Sequence, residues 1–307
     1  MKISTAFLFD RATNQMSTVQ NRLAKSQAQM AQGKQVIAPS DAPDQASSIA
    51  RMKGILEKQQ SYLDAISSAR NRYQTEETAL SNVTDALTRL REITIQAASD
   101  TLGPVDRQAL ALEMAGLRDQ IMSLANTQDE NGLYIFAGSR VKTPAFGVIE
   151  SGEFAYQGDQ STMQILVGDQ RMVQLNRSGA DAFTRVVRLD VEGNPYGVGF
   201  FQAIEDMVQA VKNSDRTGMD RSIGELDNLQ IGVSMALAQV GTDMNVLDSQ
   251  QVVLEETNLR LKSTLSNVED LDYAEAITQM NKEMLALEAA QSSFAKISQL
   301  NLFNYIN

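Results

Sequence analysis

Residues 226–268 read LDNLQIGVSMALAQVGTDMNVLDSQQVVLEETNLRLKSTLSNV, and in this stretch Leu226, Val233, Val240, Leu247, Leu254, Leu261 and Val268 fall seven apart without a miss. A seven-residue apolar repeat keeps one stripe of a helix turned toward a partner and winds long helices around each other. The stripe predicts a helix of roughly 65 Å at about 1.5 Å per residue. Two matching ladders occupy the first hundred residues. Phe9, Met16, Leu23 and Met30 form one, interleaved by Ala12, Val19 and Ser26. Ile66, Tyr73, Leu80, Leu87 and Thr94 form the other, with Ala69, Val83, Leu90 and Ala97 between them. Polar Gln251 and Asn258 sit at seam positions of the 226–268 ladder, where such residues either fix register at some cost in stability or border a local water-filled gap.

Punctuation divides the chain further. Gly33 closes the first helical pattern, and the segment holding Pro39, Ser40, Asp41 and Pro43 makes a linker turn, because each proline forces its predecessor out of the helical region. A second long helix runs from about Asp44 to Ser99. Gly103-Pro104 opens a third, whose buried face is Leu110, Met114, Leu117, Ile121 and Leu124. From Asn131-Gly132 the period becomes alternating. Phe154-Ala155-Tyr156 and 163–167 read as strands, and Gly168-Asp169 as the turn of a hairpin. Helical pattern resumes at Phe200, and a last stripe carries Ile277, Met280, Met284, Leu287, Phe294, Ile297 and Leu300. The expected fold is mainly α: a long antiparallel helical bundle or coiled coil formed by the N- and C-terminal segments around a small β-rich insertion. Its segments are a terminal helix and linker (1–43), a first long-helix part (44–132), a β-rich outer domain (133–198), a second long-helix part (199–271) and a C-terminal helix (272–307).

Composition excludes much chemistry. The chain of 307 residues contains no His and no Cys, so it has no imidazole base, no thiolate and no metal site of the usual zinc type. Gly193, Gly197 and Gly199 do not form a phosphate-binding fingerprint, and the pairs Glu76-Glu77 and Glu255-Glu256 lie on helical stretches, where a solvated face explains them. No catalytic, cofactor-binding or metal-binding residues are expected. No stretch approaches the apolar length of a membrane span, and the N-terminus lacks a cleavable secretory signal. Charge is uneven: residues 1–35 hold Lys2, Arg11, Arg22, Lys25 and Lys34 against Asp10, a net of +4, whereas the whole chain carries −11. An acidic body opposes nucleic-acid binding, and the modest apolar face of the N-terminus opposes membrane insertion. Between residues 12 and 33 the non-stripe positions are mostly Gln, Ser, Thr and Asn. A neutral polar face packs against a neighbouring subunit without the desolvation cost of an unpaired charge.

Several runs carry a resemblance. Ile3-Ser4-Thr5, Met16, Gln20, Leu23, Gln27, Gln29-Met30, Gly33-Lys34, Val36, Pro39-Ser40-Asp41 and Pro43 make up the first. The second is the run from Asn131 to Ser139 with Thr143-Pro144-Ala145-Phe146, and the third comprises Tyr273–Ala276, Leu285–Ala289, Ser293–Lys296 and Leu302–Ile306. Together they resemble the hook-associated junction proteins of the flagellin superfamily. Asp41-Ala42-Pro43 stands where that family usually has Asp-Asp-Pro. The resemblance implies export through the flagellar type III channel and a structural role at the junction between hook and filament of the bacterial flagellum. It also implies partners: hook-associated protein 1 and the other hook-associated proteins, flagellin, further copies of the chain in a ring, and a flagellar export chaperone at the C-terminal region. The assembly interface expected on this basis comprises Phe9, Met16, Leu23, Met30, Met284, Leu287, Phe294 and Leu300. Two other readings fit the same helices: a filament subunit of the same superfamily, and a cytoplasmic coiled-coil adaptor.

Overall fold

The computed structural model describes residues 2–150, 152–190 and 192–303, with the side chains of 2–6, 8 and 297–303 left aside. Seven helices and six short strands follow in the order α1 (Lys2–Gln32), α2 (Pro43–Ala97), α3 (Pro104–Ala125), β1 (Phe146–Val148), β2 (Phe154–Tyr156), β3 (Gln164–Leu166), β4 (Met172–Gln174), α4 (Gly179–Ala182), β5 (Val186–Leu189), β6 (Pro195–Val198), α5 (Phe200–Lys212), α6 (Arg216–Glu269) and α7 (Tyr273–Phe303). They form two compact units, one of residues 1–58 and 256–307, the other of residues 59–255.

In the 59–255 unit the ladders become the core. Ile66, Tyr73, Leu80, Leu87 and Thr94 of α2 are buried, as are Ala69, Val83, Leu90 and Ala97 between them. They share one cluster with Leu226, Val233, Val240 and Leu247 of α6. Ion pairs fix the two helices as antiparallel: Arg70 reaches Asp248, and Arg91 reaches Asp227 at 2.6 Å. α3 adds Ala111, Met114, Ile121 and Ala125, and Leu110, Leu117 and Leu124 pack against the same cluster half-buried. α5 packs on α3, and nearly every residue of its apolar face is buried, including Phe200, Phe201, Ile204 and Met207.

The insertion is three separate antiparallel hairpins, β1–β2, β3–β4 and β5–β6, not one sheet. An isolated two-stranded hairpin is marginal in water, so these need other anchors. An aromatic cluster supplies one: Phe183 stands edge-on to Phe136, Phe146 and Phe200 at centroid distances of 5.1–5.3 Å. Buried charge supplies another. Arg177 donates to Glu76 of α2 at 2.9 Å and to Asp243 of α6 at 3.1 Å. Burial drives the Glu76 carboxyl above its ordinary pKa, and Arg177 opposes that rise. Arg188 of β5 likewise clamps Glu225 of α6 at 2.7 Å and Asp206 of α5.

In the unit of residues 1–58 and 256–307, α1 and α7 run antiparallel as a hairpin made of the two ends of the chain. α1 stops at Gly33, whose φ of +66° is the left-handed conformation that glycine adopts without steric cost.

Candidate functional site

The two chain ends meet through the positions that repeat every three or four residues. On α1, Ala12, Met16, Val19, Leu23 and Met30 are half-buried and Ser26 is buried, while the positions between them are mostly exposed. On α7 the matching stripe is Ala276, Met280, Glu283, Leu287, Ala290 and Phe294. The Phe9 and Phe294 rings lie 4.9 Å apart at 46°. Further along, the Ser26 hydroxyl donates to Glu283 at 2.8 Å, and Gln279 donates to the same carboxylate at 2.9 Å. The hydroxyl and the amide together supply the hydrogen bonds that a carboxylate needs when it enters an apolar seam.

At the inner end of the hairpin the backbones themselves join. Leu271 N–H donates to Gly33 at 3.0 Å, and Gln35 N–H donates to the Glu269 carbonyl at 2.8 Å. The Tyr273 hydroxyl donates to the Met30 carbonyl at 3.3 Å. The Glu269 side chain is buried and receives both Lys34 and Lys53 at 2.7 Å. Burial disfavours its charge, but the two ammonium groups outweigh that and hold its pKa below the ordinary value. Neither lysine has a signal in the apolar repeat, and sequence periodicity gives no reason to single out Glu269. A carboxylate in the last turn of a helix facing a loop with one lysine is the most that a reader of the chain could have marked.

The linker turn is organised by Asp41. Its carboxylate accepts from the Ile37 and Ala38 N–H groups at 3.2 and 3.0 Å and pairs with Lys25 of α1 at 2.7 Å. Lys25, and after it the Ala38 N–H, hold the Asp41 pKa low. Pro39 and Ser40 precede this turn, and Pro43 opens α2 at the position where a missing N–H costs nothing.

The expected C-terminal stripe splits in two. Met280, Leu287 and Phe294 face α1, whereas Ile277 and Met284 are exposed, Met284 at 45%. The seam passes through Glu283, one residue before Met284, because Ser26 and Gln279 satisfy the carboxylate there. Leu300 lies in α7 with its side chain outside the described residues. A second apolar face of the hairpin is therefore open, formed by Ile277, Met284 and Leu285 on α7, while Phe7 is exposed on α1. The solvated face expected for the acidic pairs holds for Glu77, Glu255 and Glu256, the last two pairing with Gln251 and Arg260, but not for Glu76, which is buried because Arg177 of the insertion satisfies its carboxylate. No helix among the described residues is long and apolar enough to cross a membrane.

One unit is thus a hairpin of the two chain ends, and the other a helical body with three short inserted β-hairpins. The chain belongs to the bacterial flagellin family, whose N-terminal helical region matches residues 3–141 and whose C-terminal helical region matches residues 223–306. It is 27% identical to flagellar hook-associated protein 3 of Salmonella typhimurium and 28% identical to that of Escherichia coli, in each case over 99% of both chains. Polar flagellin F of Vibrio parahaemolyticus is 23% identical over 94% of both. Two solved structures share the fold: a flagellar hook-associated protein of Vibrio parahaemolyticus, with a TM-score of 0.67, 21% identity and coverage of 75% of this chain and all of that one, and hook-associated protein 3 of Legionella pneumophila, with 0.66, 18%, 72% and 98%.

Proposed function

We propose that the chain is a structural adaptor at the hook–filament junction of the bacterial flagellum, polymerising through its paired terminal helices and performing no catalysis. The observation that carries this reading is the second, open apolar face of the α1/α7 hairpin, on a chain aligned end to end with proteins named hook-associated protein 3. A helical hairpin with one face paired and another bare is half of a larger helical layer. Copies of the chain, the other hook-associated proteins and flagellin are the partners that bring similar terminal helices to it. The chain reaches this place through the flagellar export route, and a chaperone shields Met284 and its neighbours on α7 beforehand, since a bare methionine-containing stripe self-associates.

Phe294→Asp in the full chain tests the assignment, expressed in a motile bacterium whose own junction protein is deleted. The variant should keep the helicity and melting of the 59–255 unit and lose incorporation at the hook tip, leaving hooks without filaments. Normal filaments on Phe294→Asp cells would remove the terminal hairpin from the assembly core.

A further inference from the structure

Helix α7 carries two seams that share one line of residues. Tyr273, Met280, Leu287 and Phe294 fall seven apart, and the helix can pair through them in either of two ways. With Ala276, Glu283 and Ala290 they form the seam that faces α1, and with Ile277, Met284 and Gln291 they would form another. At 3.6 residues per turn, rotating α7 by about 50° about its own axis exchanges the two. The second seam would bury an isoleucine and a methionine in place of an alanine and a carboxylate, with Gln291 replacing Ala290 nearer the outer end. Around Glu283 the hydrophobic effect therefore favours the orientation that the protein does not adopt.

Other polar and aromatic contacts along the hairpin do not choose between the two. The Tyr273 hydroxyl on the Met30 carbonyl and the Phe294 ring against Phe9 both belong to the shared line. Gln279, which donates to Glu283, lies on α7 and would turn with it. Ser26 differs. It is buried on α1, and among the described residues it is the one donor that reaches the Glu283 carboxylate from the opposite helix, at 2.8 Å. Thr13 and Thr18 of the same helix donate to carbonyls four residues back, whereas the Ser26 hydroxyl crosses the seam.

We propose that Ser26 is a positioning residue: its hydrogen bond to Glu283 holds α7 in the orientation that leaves Ile277, Met284 and Leu285 outward. A buried carboxylate that loses a donor is costly, while the same carboxylate in water is not. Without the hydroxyl, α7 lowers its free energy by turning Glu283 to solvent and Met284 onto α1. A single polar layer in an apolar seam selects one packing over its competitors in this way, at some cost in stability. That neighbours meet the outward face rests on the role proposed above; the orientation itself is a property of the monomer.

Peroxide oxidation of the methionines in the purified full chain, read by peptide mass spectrometry, measures the orientation directly, because sulfoxide formation follows exposure of the sulfur. Met284 is 45% exposed and Met280 half-buried, and Met172 of the 59–255 unit, 60% exposed, serves as the internal reference. In Ser26→Ala the Met284 rate should fall about fivefold against Met172. Ser26→Thr, which keeps the hydroxyl, should oxidise like the parent. So should Ser26→Ala/Glu283→Leu, in which turning would expose a leucine to bury a methionine. An unchanged Met284 rate in Ser26→Ala overturns the proposal, and so does a rise at Met280 and Met284 together, which reports a hairpin that loosens rather than turns. A fall that Ser26→Thr shares, or that the double variant does not reverse, overturns it as well. Incorporation at the hook tip should be lost in Ser26→Ala and regained in the double variant. A turned α7 that still incorporates at the parent level upholds the role of Ser26 and strikes the assembly face instead.

Discussion

Truncating two leucines separates a closed core from a half-built one. Leu87 of α2 is 1% exposed inside the 59–255 unit, and Leu23 of α1 is half-buried in the terminal hairpin. Leu87→Ala removes a fully buried side chain and leaves a cavity that its helical neighbours cannot close, at a cost of about 3 kcal/mol. For a unit of this size that lowers melting by about 6–12 °C. Leu23→Ala removes roughly half the buried area and opens to solvent, so no cavity forms, and the cost is about 1 kcal/mol. Hydrogen exchange of the monomer, resolved by peptide, reads both: opening free energies across 66–97 should fall by about 3 kcal/mol in the first variant, and those across 12–30 by about 1 in the second. Incorporation should show the reverse ranking, because Leu23 packs the hairpin whose open face, at Ile277, Met284 and Leu285, is the one proposed to meet neighbours. A monomer that suffers as much from Leu23→Ala as from Leu87→Ala would mean that the hairpin is already a complete core, with nothing left for neighbours to bury.

Gly33→Ala should cost about 1–2 kcal/mol, since its φ of +66° is strained for any residue with a Cβ and that carbon would stand 3.0 Å from the Tyr273 hydroxyl; faster amide exchange at 33–35 and 271 measures it. Asn258→Leu should raise the stability of the unit of residues 1–58 and 256–307, because the buried Asn258 Oδ1 has no hydrogen-bond partner among the described residues; a lower midpoint in urea would contradict this. Asp159 accepts from the Ser139 hydroxyl and N–H and from the Ser161 N–H, contacts that lower its pKa to about 2. A depressed carboxyl stabilises the loop fully above its unfolded pKa of about 3.9 and loses that contribution as pH falls through the folded value. The amide shifts of Ser139 and Ser161 should therefore hold from pH 7 to 4 and move only below, with no such transition in Asp159→Asn.

The repeat made the long helices readable because an apolar residue every seventh position leaves no other low-energy arrangement: Leu80, Leu87, Val233 and Val240 lie in one buried cluster. The N-terminal seam was equally plain, down to Ser26 at the interleaved position. The α7 seam was not, because a stripe read by hydrophobicity prefers Met284 to the adjacent Glu283, whereas the hairpin buries Glu283 once Ser26 and Gln279 supply its hydrogen bonds. Strands Phe154–Tyr156 and Met172–Gln174 followed from alternation and a glycine turn. Their anchoring did not, since Arg177 and Arg188 find carboxylates that are distant in sequence. Glu269 escaped notice for the same reason: its lysines come from a loop and from another helix.

The backbone joint at Gly33 and Leu271 also imposes an order in time. Ser26 and Glu283 are 257 residues apart along the chain, and closing so large a loop in an extended polypeptide is entropically costly and slow. Once α2 has paired with α6, the ends of those helices deliver residues 33–35 and 269–271 to each other, and the remaining loop is a few residues across the joint. The terminal helices then close like a zipper from that joint outward. A chain in which α2 and α6 have not yet paired cannot fasten its ends, and the outer part of the hairpin, the last to close, is also the first to reopen.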